Sequence, residues 1–233
     1  MSAAQPPKAS KTIRHATWEW IKSLAVALVI WFVLRTLLVE AFRIPSSSME
    51  RTLLVDDFLF VNKALYGAEV PLIHTRLPAI RDPRRGDIVV FDSRTEDGVK
   101  VVKRLIGTPG DTLQMKKANL WRNGIAQQES YVEHVDSLED PSDPGMREWQ
   151  VTYLLPSVDR NTYRPTRDNW GPVVVPPGQY FVMGDNRDNS RDSRYFGFME
   201  GKAIVGKAKA VIVSFDKTDK YQPRLERFFA PVK

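Results

Sequence analysis

Three consecutive serines at positions 46–48 place hydroxyl groups between apolar residues, directly after the only long apolar run of the chain. Ile44 and Pro45 precede these serines, and Met49 follows them. A serine run is most often a solvated loop, because its hydroxyls bond to nearby backbone. Here the apolar neighbours favour burial, and Pro45 fixes its own φ and holds Ile44 extended. The segment therefore has a second interpretation, as a rigid, half-buried carrier of a nucleophilic hydroxyl.

A serine nucleophile needs a base, and Lys103 differs from the other lysines because it lies in the apolar run 100–106. On a strand its side chain would share a face with Val101 and Leu105. Most strand lysines point to solvent, and an unperturbed pKa near 10.4 leaves about one amine in a few thousand neutral at pH 7. Burial that lowers the pKa to about 8 requires about 3 kcal/mol, and the charge of Arg104 acts in the same direction. A surface lysine and a general base both fit this spacing.

Other kinds of catalytic site find weaker support in the sequence. The three histidines, His15, His74 and His134, lie far apart and are interpreted as surface residues, although spacing alone does not exclude a Ser-His-Asp triad. The loop 185–192 is rich in oxygen ligands but lacks the spacing of a calcium-binding loop. The chain contains no cysteine, which excludes thiol catalysis, disulfides and cysteine-ligated zinc. We therefore predict no metal and no cofactor.

The composition is that of a folded protein, with 42% hydrophobic and 27% charged residues among 233. Half of the formal charge of +6 lies before the apolar run, and the other half is spread thinly over the rest of the chain, whereas nucleic-acid binding usually shows as basic residues clustered on one face or element. We therefore expect no nucleic-acid partner. Short apolar runs at residues 56–61, 88–91, 100–106, 179–183 and 203–215 are separated by turn signals and predict strands. Because no helical segments alternate with them, they predict an all-β fold.

The turn signals also divide the chain into segments. We predict a catalytic β-sheet domain with an inserted smaller β-rich lobe, in which residues 151–155 form a strand. The predicted segments are a flexible cytoplasmic arm (1–16), a transmembrane anchor (17–42), the catalytic β core (43–64, 84–112 and 178–216), an extended excursion (65–83), the inserted lobe (113–177) and a C-terminal tail (217–233).

The anchor assignment depends on two charged residues. Between Lys22 and Arg35 lie 12 uncharged residues, fewer than the roughly 20 that cross a bilayer. If both cations snorkel, residues 18–39 supply a helix of about 33 Å. An excess of three basic charges before the run places the arm in the cytoplasm and the rest of the chain outside, so we predict a single pass through the cytoplasmic membrane. A signal peptide cleaved after Ala41 is the alternative.

Four blocks of the sequence, in this order, resemble the bacterial type I signal peptidases, also called leader peptidases, which are membrane-bound Ser-Lys endopeptidases. The blocks are Pro-Ser-Ser-Ser-Met (45–49), Arg-Gly-Asp-Ile-Val (85–89), Lys-Arg with Gly-x-Pro-Gly-Asp (103–111) and Gly-Asp-Asn-Arg-Asp-Asn-Ser (184–190). Each block alone is weak, but the resemblance extends over residues 42–215. It implies a serine endopeptidase that removes N-terminal signal peptides at Ala-x-Ala sites, at the outer face of the cytoplasmic membrane.

The resemblance also assigns roles to individual residues. It implies that Ser48 is the nucleophile and Lys103 the general base, and that Ser46 and the backbone N–H of Ser48 form the oxyanion hole. Ser190 would orient the lysine amine, and Ser47 would be a spacer with a dispensable side chain. Charged residues that would support the site are Arg104, Asp185, Asp192 and Arg194. Residues that would line the substrate pockets are Phe42, Ile44, Pro45, Met49, Leu53, Val90, Val101 and Val102.

Signal peptides of secreted preproteins and membrane lipid are the implied partners, and the chain is expected to be a monomer. A peptidase of the same family, specialised for a conjugation or pilus precursor, is one alternative. A membrane-tethered β-domain that binds exported peptides without cutting them is another. One departure from the family pattern is Arg51, which stands where the family commonly has proline and predicts a less rigid turn after Met49.

Overall fold

The computed structural model describes residues 9–33, 39–70, 75–93, 98–136 and 140–233. Its helices are α1 (Ala9–Val33), α2 (Pro144–Tyr153) and α3 (Ser193–Phe196). Its strands are β1 (Val39–Arg43), β2 (Asp57–Asn62), β3 (Glu69–Val70), β4 (Thr75–Arg76), β5 (Ile88–Asp92), β6 (Lys100–Gly107), β7 (Thr112–Lys116), β8 (Asn119–Arg122), β9 (Ile125–Ala126), β10 (Trp170–Val174), β11 (Gln179–Met183), β12 (Met199–Glu200), β13 (Ile204–Asp216) and β14 (Gln222–Pro223).

Most of the described strands belong to one antiparallel sheet. Its order is β1, β2, β13, β5, β6, β11 and β12, and β14 pairs with the end of β13. Strand β13 is central because its 13 residues pair with both β2 and β5. Strands predicted at 56–61, 88–91, 100–106, 179–183 and 203–215 are confirmed within one or two residues. The mostly β architecture of the catalytic domain follows from this sheet.

Burial of apolar side chains fixes the serine segment to this sheet. Along β2, Leu59 and Val61 are fully buried while the residues between them are half-buried, as the two-residue period of a strand requires. Ile44, Met49 and Leu53 join the same apolar cluster from the chain that follows β1. Burying each of these side chains stabilises the fold by about 1.5–3 kcal/mol, so the segment between β1 and β2 is held on both sides of the serines.

The inserted lobe contains a helix as well as strands. Its sheet has the order β10, β7, β8 and β9. The strand predicted at residues 151–155 is wrong, because residues 151–153 end helix α2. Asp143 caps this helix by accepting a 2.7 Å hydrogen bond from the N–H of Gly145, and Pro144 occupies the first turn. Met146 and Gln150, one turn apart, bury the inner face, so capping and packing override the β propensity of Val151.

The N-terminal part differs from the predicted anchor in its extent. Helix α1 begins at Ala9, within the predicted arm, and ends at Val33, while residues 1–8 and 34–38 lie outside the described residues. Strand β1, Val39–Arg43, pairs with β2, although all of its residues except Arg43 lie within the predicted anchor. None of the described helices is both long enough and apolar enough to span a bilayer.

The C-terminal tail packs against the main sheet. Arg227 donates a 3.0 Å hydrogen bond from Nε to the buried carboxylate of Asp57, and the same two residues form an ion pair. The N–H of Val232 donates to the carbonyl of Lys209 on β13, and the Val232 side chain packs on the cluster that holds Ile44. The tail therefore covers the side of the sheet that supports the serine segment.

Candidate active site

The side chains of Ser48 and Lys103 meet although 55 residues separate them in the sequence. Nζ of Lys103 lies 2.6 Å from Oγ of Ser48 and 3.2 Å from the carbonyl oxygen of Val102. Lys103 is 3% exposed and Ser48 is 7% exposed. Lys103 is therefore not the solvent-facing strand lysine that is the usual case. A buried amine in hydrogen-bond contact with a hydroxyl is the arrangement that a Ser-Lys dyad needs.

Burial also changes the protonation of this amine. Desolvation lowers the pKa of Lys103 from 10.5 to about 8. The negative charge of Asp192 opposes this shift, the positive charge of Arg194 adds to it, and Asp185 opposes it more weakly. At pH 7 about one amine in ten is then neutral, compared with one in a few thousand for an exposed lysine. The group can accept a proton from Ser48 near neutral pH.

The backbone around Ser48 is held by the loop that follows β11. Ser48 is the middle residue of a 3₁₀ turn, Ser47–Met49. Its carbonyl oxygen accepts a 3.1 Å hydrogen bond from the N–H of Asn186. Gly184 makes this approach possible, since a Cβ atom at that position would lie 2.4 Å from the Ser48 carbonyl oxygen and 2.3 Å from Oγ of Ser190. The glycine is required here by close packing.

A buried ion pair ties strand β6 to the same loop. Arg104 donates from Nε to Oδ1 of Asp185 at 2.8 Å and from Nη2 to Oδ2 at 2.6 Å, a bidentate pair. Thr52 donates from its hydroxyl to Oδ2 of Asp185 at 2.6 Å, and the guanidinium group stacks 3.8 Å from the centre of the Tyr131 ring. Arg104 follows Lys103 directly, so this pair fixes the backbone that carries the amine.

A second buried pair lies within the loop itself. Asp192 and Arg194 have no solvent exposure, and Arg194 donates to Asp192 from Nε and from Nη2, each at 2.9 Å. Burial opposes ionisation of Asp192, but the charge and hydrogen bonds of Arg194 hold the pKa of that carboxyl below its usual range. Asp192 also accepts from the N–H of Gly184 at 3.0 Å. The pair thereby anchors the residue that lies against Ser48.

The other serines occupy different surroundings. Oγ of Ser46 lies 3.3 Å from Oγ of Ser48, beside the candidate nucleophile. Ser47 accepts a 2.7 Å hydrogen bond from the side-chain amide of Asn189. The hydroxyl of Ser190 is buried and makes no hydrogen bond within the described part of the chain, so a direct bond between Ser190 and Lys103 remains a prediction.

A cleft of about 400 Å³ opens beside the Ser48–Lys103 pair. Its walls include five of the eight residues predicted to contact substrate: Ile44, Pro45, Met49, Val101 and Val102. The other three do not line it, because Leu53 and Val90 are fully buried in the apolar cluster beneath and Phe42 packs against that cluster. Sequence reasoning missed five further wall residues: Ser93, Val99, Lys100, Asn189 and Arg191. Asn189 lies in the fourth block and Arg191 directly follows it, so their position on either side of Ser190 was the available signal.

Among the residues that the structure describes, no histidine contacts Ser48. His134 pairs with Asp188 at 3.0 Å, while His74 and the side chain of His15 lie outside the described residues. Within the ranges that the structure describes, no cluster of histidine and carboxylate side chains could hold a metal ion.

Arg51 closes the turn after Met49 in a left-handed conformation, with φ of 79°. Proline cannot adopt this φ. The Arg51 side chain donates a 2.9 Å hydrogen bond from Nη1 to the carbonyl oxygen of Val132. This bond ties the turn to the inserted lobe. A tertiary contact of Arg51 therefore holds this turn.

The sequence is similar to those of known proteins. A family model described as "Signal peptidase, peptidase S26" matches residues 17–213. The chain belongs to this family. Signal peptidase I of Pseudomonas aeruginosa is 40% identical over 210 residues, which cover 84% of this chain and 72% of the relative. Signal peptidase I P of Bacillus subtilis subsp. natto is 36% identical, with coverage of 85% and 90%.

One solved structure of a family member also matches in part. A signal peptidase I from Enterococcus faecalis V583 is 32% identical to this chain, and the match covers 55% of this chain and 98% of that one. The TM-score is 0.37, so the assignment to the signal peptidases does not rest on this backbone comparison.

Proposed function

We propose that this chain is a signal peptidase I, a serine endopeptidase that removes N-terminal signal peptides from exported preproteins with a Ser48–Lys103 dyad. The observation that carries the proposal is the 2.6 Å contact between a buried, readily deprotonated amine and the hydroxyl of Ser48. Membership of the signal peptidase family supports the substrate class. The supporting role of the Arg104–Asp185 and Asp192–Arg194 pairs belongs to the same proposal.

The neutral Lys103 amine takes the proton of Ser48 as the hydroxyl oxygen attacks the scissile carbonyl carbon. The tetrahedral intermediate carries a negative oxygen, which the Ser46 hydroxyl and the N–H of Ser48 stabilise; Ser46 lies 3.3 Å from the attacking oxygen. As the C–N bond breaks, the Lys103 ammonium returns its proton to the leaving amine. Lys103 next accepts a proton from water as the water oxygen attacks the acyl carbon. The C–O bond to Ser48 then breaks, and the Lys103 ammonium returns the proton to the serine oxygen.

The cleft accounts for the choice of small substrate side chains. Ile44, Pro45, Val101 and Val102 give it short apolar walls, and its volume of about 400 Å³ must hold several substrate residues. Small residues such as alanine therefore fit at the positions before the cleaved bond, and bulky ones are excluded. The extended backbone between Phe42 and Ser46 would pair with the substrate as a neighbouring strand, as in other peptide-binding sites.

Helix α1 supports a location at the membrane. The large apolar side chains between Trp18 and Phe32 are all more than half exposed. A helix that presents such side chains all round is stabilised by an apolar environment. With the basic excess before it, we infer a cytoplasmic N-terminus, a single pass and a catalytic domain on the outer face, where lipid and the apolar part of a signal peptide are neighbours.

The test is cleavage of a purified preprotein whose signal peptide ends in Ala-x-Ala, with the product identified by mass spectrometry. The chain should cut once, after the second alanine, and phenylalanine in place of either alanine should abolish cutting. A Ser48→Ala variant is the matched control and should leave the precursor intact. If the parent chain binds the precursor without cutting it, the chain is a peptide-binding domain and the proposal is wrong; equal cutting by the parent and Ser48→Ala would contradict Ser48 as the nucleophile.

A further inference from the structure

A second cavity, of about 560 Å³, lies at the opposite end of strand β6 from the catalytic cleft. The cleft is lined by residues 99–103, at the start of β6, whereas Thr108 and Pro109 of the second cavity follow the last residue of the strand. Its volume lies in the range typical of small-molecule sites. The residues that line it are Asp82, Pro83, Arg84, Arg85, Thr108, Pro109, Arg122 and Tyr180.

Positive charge distinguishes this cavity. The guanidinium groups of Arg84 and Arg122 make no hydrogen bond or ion pair with any residue that the structure describes, whereas Arg85 contacts Asp111 at 3.3 Å. Asp82 contributes one carboxylate to the wall. Two free guanidinium groups and one paired one therefore face a single acidic group, and the wall favours an anionic ligand.

The backbone that carries these arginines is held in place. The N–H of Arg84 donates to the carboxylate of Asp87 at 2.9 Å, and the N–H of Asp87 donates back to the carbonyl of Arg84 at 3.0 Å. Gly86, with φ of 83°, allows this tight turn, and its N–H donates to Leu105 on β6 at 2.8 Å. Arg122 lies on β8 opposite Leu113. The arginine backbones are thus fixed before any ligand binds, which lowers the entropy cost of binding.

The buried Tyr180 adds a neutral donor to the same wall. Burial raises the pKa of Tyr180, and the charge of Asp82 acts in the same direction, so the phenol stays protonated at neutral pH. A carboxylate is satisfied by one guanidinium fork, whereas a phosphate group has enough oxygens for two forks and a hydroxyl. The cavity is also much larger than a phosphate ion, which leaves room for the molecule that carries the phosphate.

We propose that this cavity binds a phosphate ester, with the phosphate held by Arg84 and Arg122 and the rest of the molecule in the remaining space. Two sources share this chemistry, a soluble phosphorylated metabolite and the headgroup of a phospholipid. The site is separate from the dyad, and its occupation does not require the proposed peptidase activity.

The experiment is isothermal titration calorimetry of the full chain in an uncharged detergent. The probes are glycerol 3-phosphate and a phosphatidylglycerol with six-carbon chains, with glycerol as the neutral control. An Arg84→Gln/Arg122→Gln double variant should bind either ester at least about tenfold more weakly than the parent, since both charged donors are lost. An Arg164→Gln/Lys209→Gln variant, which removes the same charge from exposed positions elsewhere, should bind as the parent does.

Every outcome of this comparison is decisive. Binding of glycerol 3-phosphate, with or without binding of the lipid, that is lost only in the arginine variant supports a site for the phosphate group itself. Binding of the lipid alone with the same loss assigns the site to a phospholipid headgroup. The absence of heat with both esters, or equal affinities in the two variants, overturns the proposal. Cleavage of a soluble peptide at the parental rate verifies that the arginine variant is folded, because neither residue contacts the dyad or its cleft.

Discussion

The side-chain amide of Asn189 donates a 2.7 Å hydrogen bond to the hydroxyl of Ser47, the residue directly before the candidate nucleophile. This bond joins the serine turn to the loop that follows β11, beside the backbone bond from Asn186 to Ser48. Ser47 is therefore more than the spacer that the sequence suggested. It links the serine turn to the loop whose Asp185 pairs with Arg104, the residue directly after Lys103.

Removal of this link should slow catalysis without abolishing it. We expect Ser47→Ala to lower kcat/KM about two- to tenfold, because a hydrogen bond of this kind contributes about 0.5–1.5 kcal/mol. Asn189→Ala should have a similar effect, and the double variant should be little worse than either single one, since both remove the same bond. Strictly additive losses in this double-mutant cycle would show that the two side chains act independently.

The pH dependence of cleavage should report the lysine. The pKa of Lys103 is lowered to about 8, and only the neutral amine can accept the proton of Ser48, so kcat/KM should rise as pH increases through about 8 and then level off. Below that pH the protonated fraction grows and activity falls about tenfold per pH unit. Initial rates from pH 6 to 10 measure this rising part of the pH profile, which we call the activity limb. A limb near 6.5 that disappears on replacement of His134 would instead indicate a histidine base.

Asp192 should matter for both stability and titration. Asp192→Asn leaves the fully buried Arg194 without its anionic partner, and we expect a loss of about 3–5 kcal/mol in the free energy of unfolding. Because the charge of Asp192 raises the pKa of Lys103, its removal should also move the activity limb to lower pH. Denaturant titration and the pH profile measure the two effects.

A matched control for this variant is Glu200→Gln, which removes the same charge from an exposed pair with Lys202. The control should change the free energy of unfolding by less than about 1 kcal/mol and leave the limb where it is. Equal destabilisation by both substitutions would mean that burial of the Asp192–Arg194 pair has no special consequence.

Gly184 should tolerate no side chain. In Gly184→Ala the new Cβ would lie 2.4 Å from the Ser48 carbonyl oxygen, so the serine turn must shift away from the loop. We expect a loss of stability of about 1–3 kcal/mol and a fall in kcat that exceeds any change in KM. Gly145→Ala is the control, since its Cβ would approach only a side-chain oxygen of Asp143, at 3.0 Å. Parental kcat in Gly184→Ala would contradict the close packing at Ser48.

The strands were readable from sequence because their apolar residues alternate and turn residues bound them. Strand β2 and strand β13 are examples, and both are found within two residues of the expected bounds. Helix α2 was missed because it is only 10 residues long and ends in β-branched and aromatic residues, while its stability comes from the Asp143 cap and the burial of Met146. Such tertiary contributions leave no local periodicity strong enough to detect.

The candidate active site, like the fold, was predictable from the sequence only in part. The four blocks indicated Ser48 and Lys103, and the structure places the two side chains in contact. Arg104 pairs with Asp185, which is 81 residues away in the sequence. No local sequence pattern indicates this pair, and only the three-dimensional structure shows it. Ser93 and Lys100 at the cleft likewise had no signal in the sequence, because membership of a cavity wall depends on which strands become neighbours.

The account rests on Lys103 as the base, and the most direct test is kcat/KM of the Lys103→Arg variant on an Ala-x-Ala precursor at pH 8. Arginine keeps the positive charge and the length of the side chain but cannot deprotonate in a protein. We predict a loss of at least about 10³-fold, within the range for removal of a general base and comparable to Lys103→Ala. Cleavage by Lys103→Arg at the parental rate would contradict the dyad.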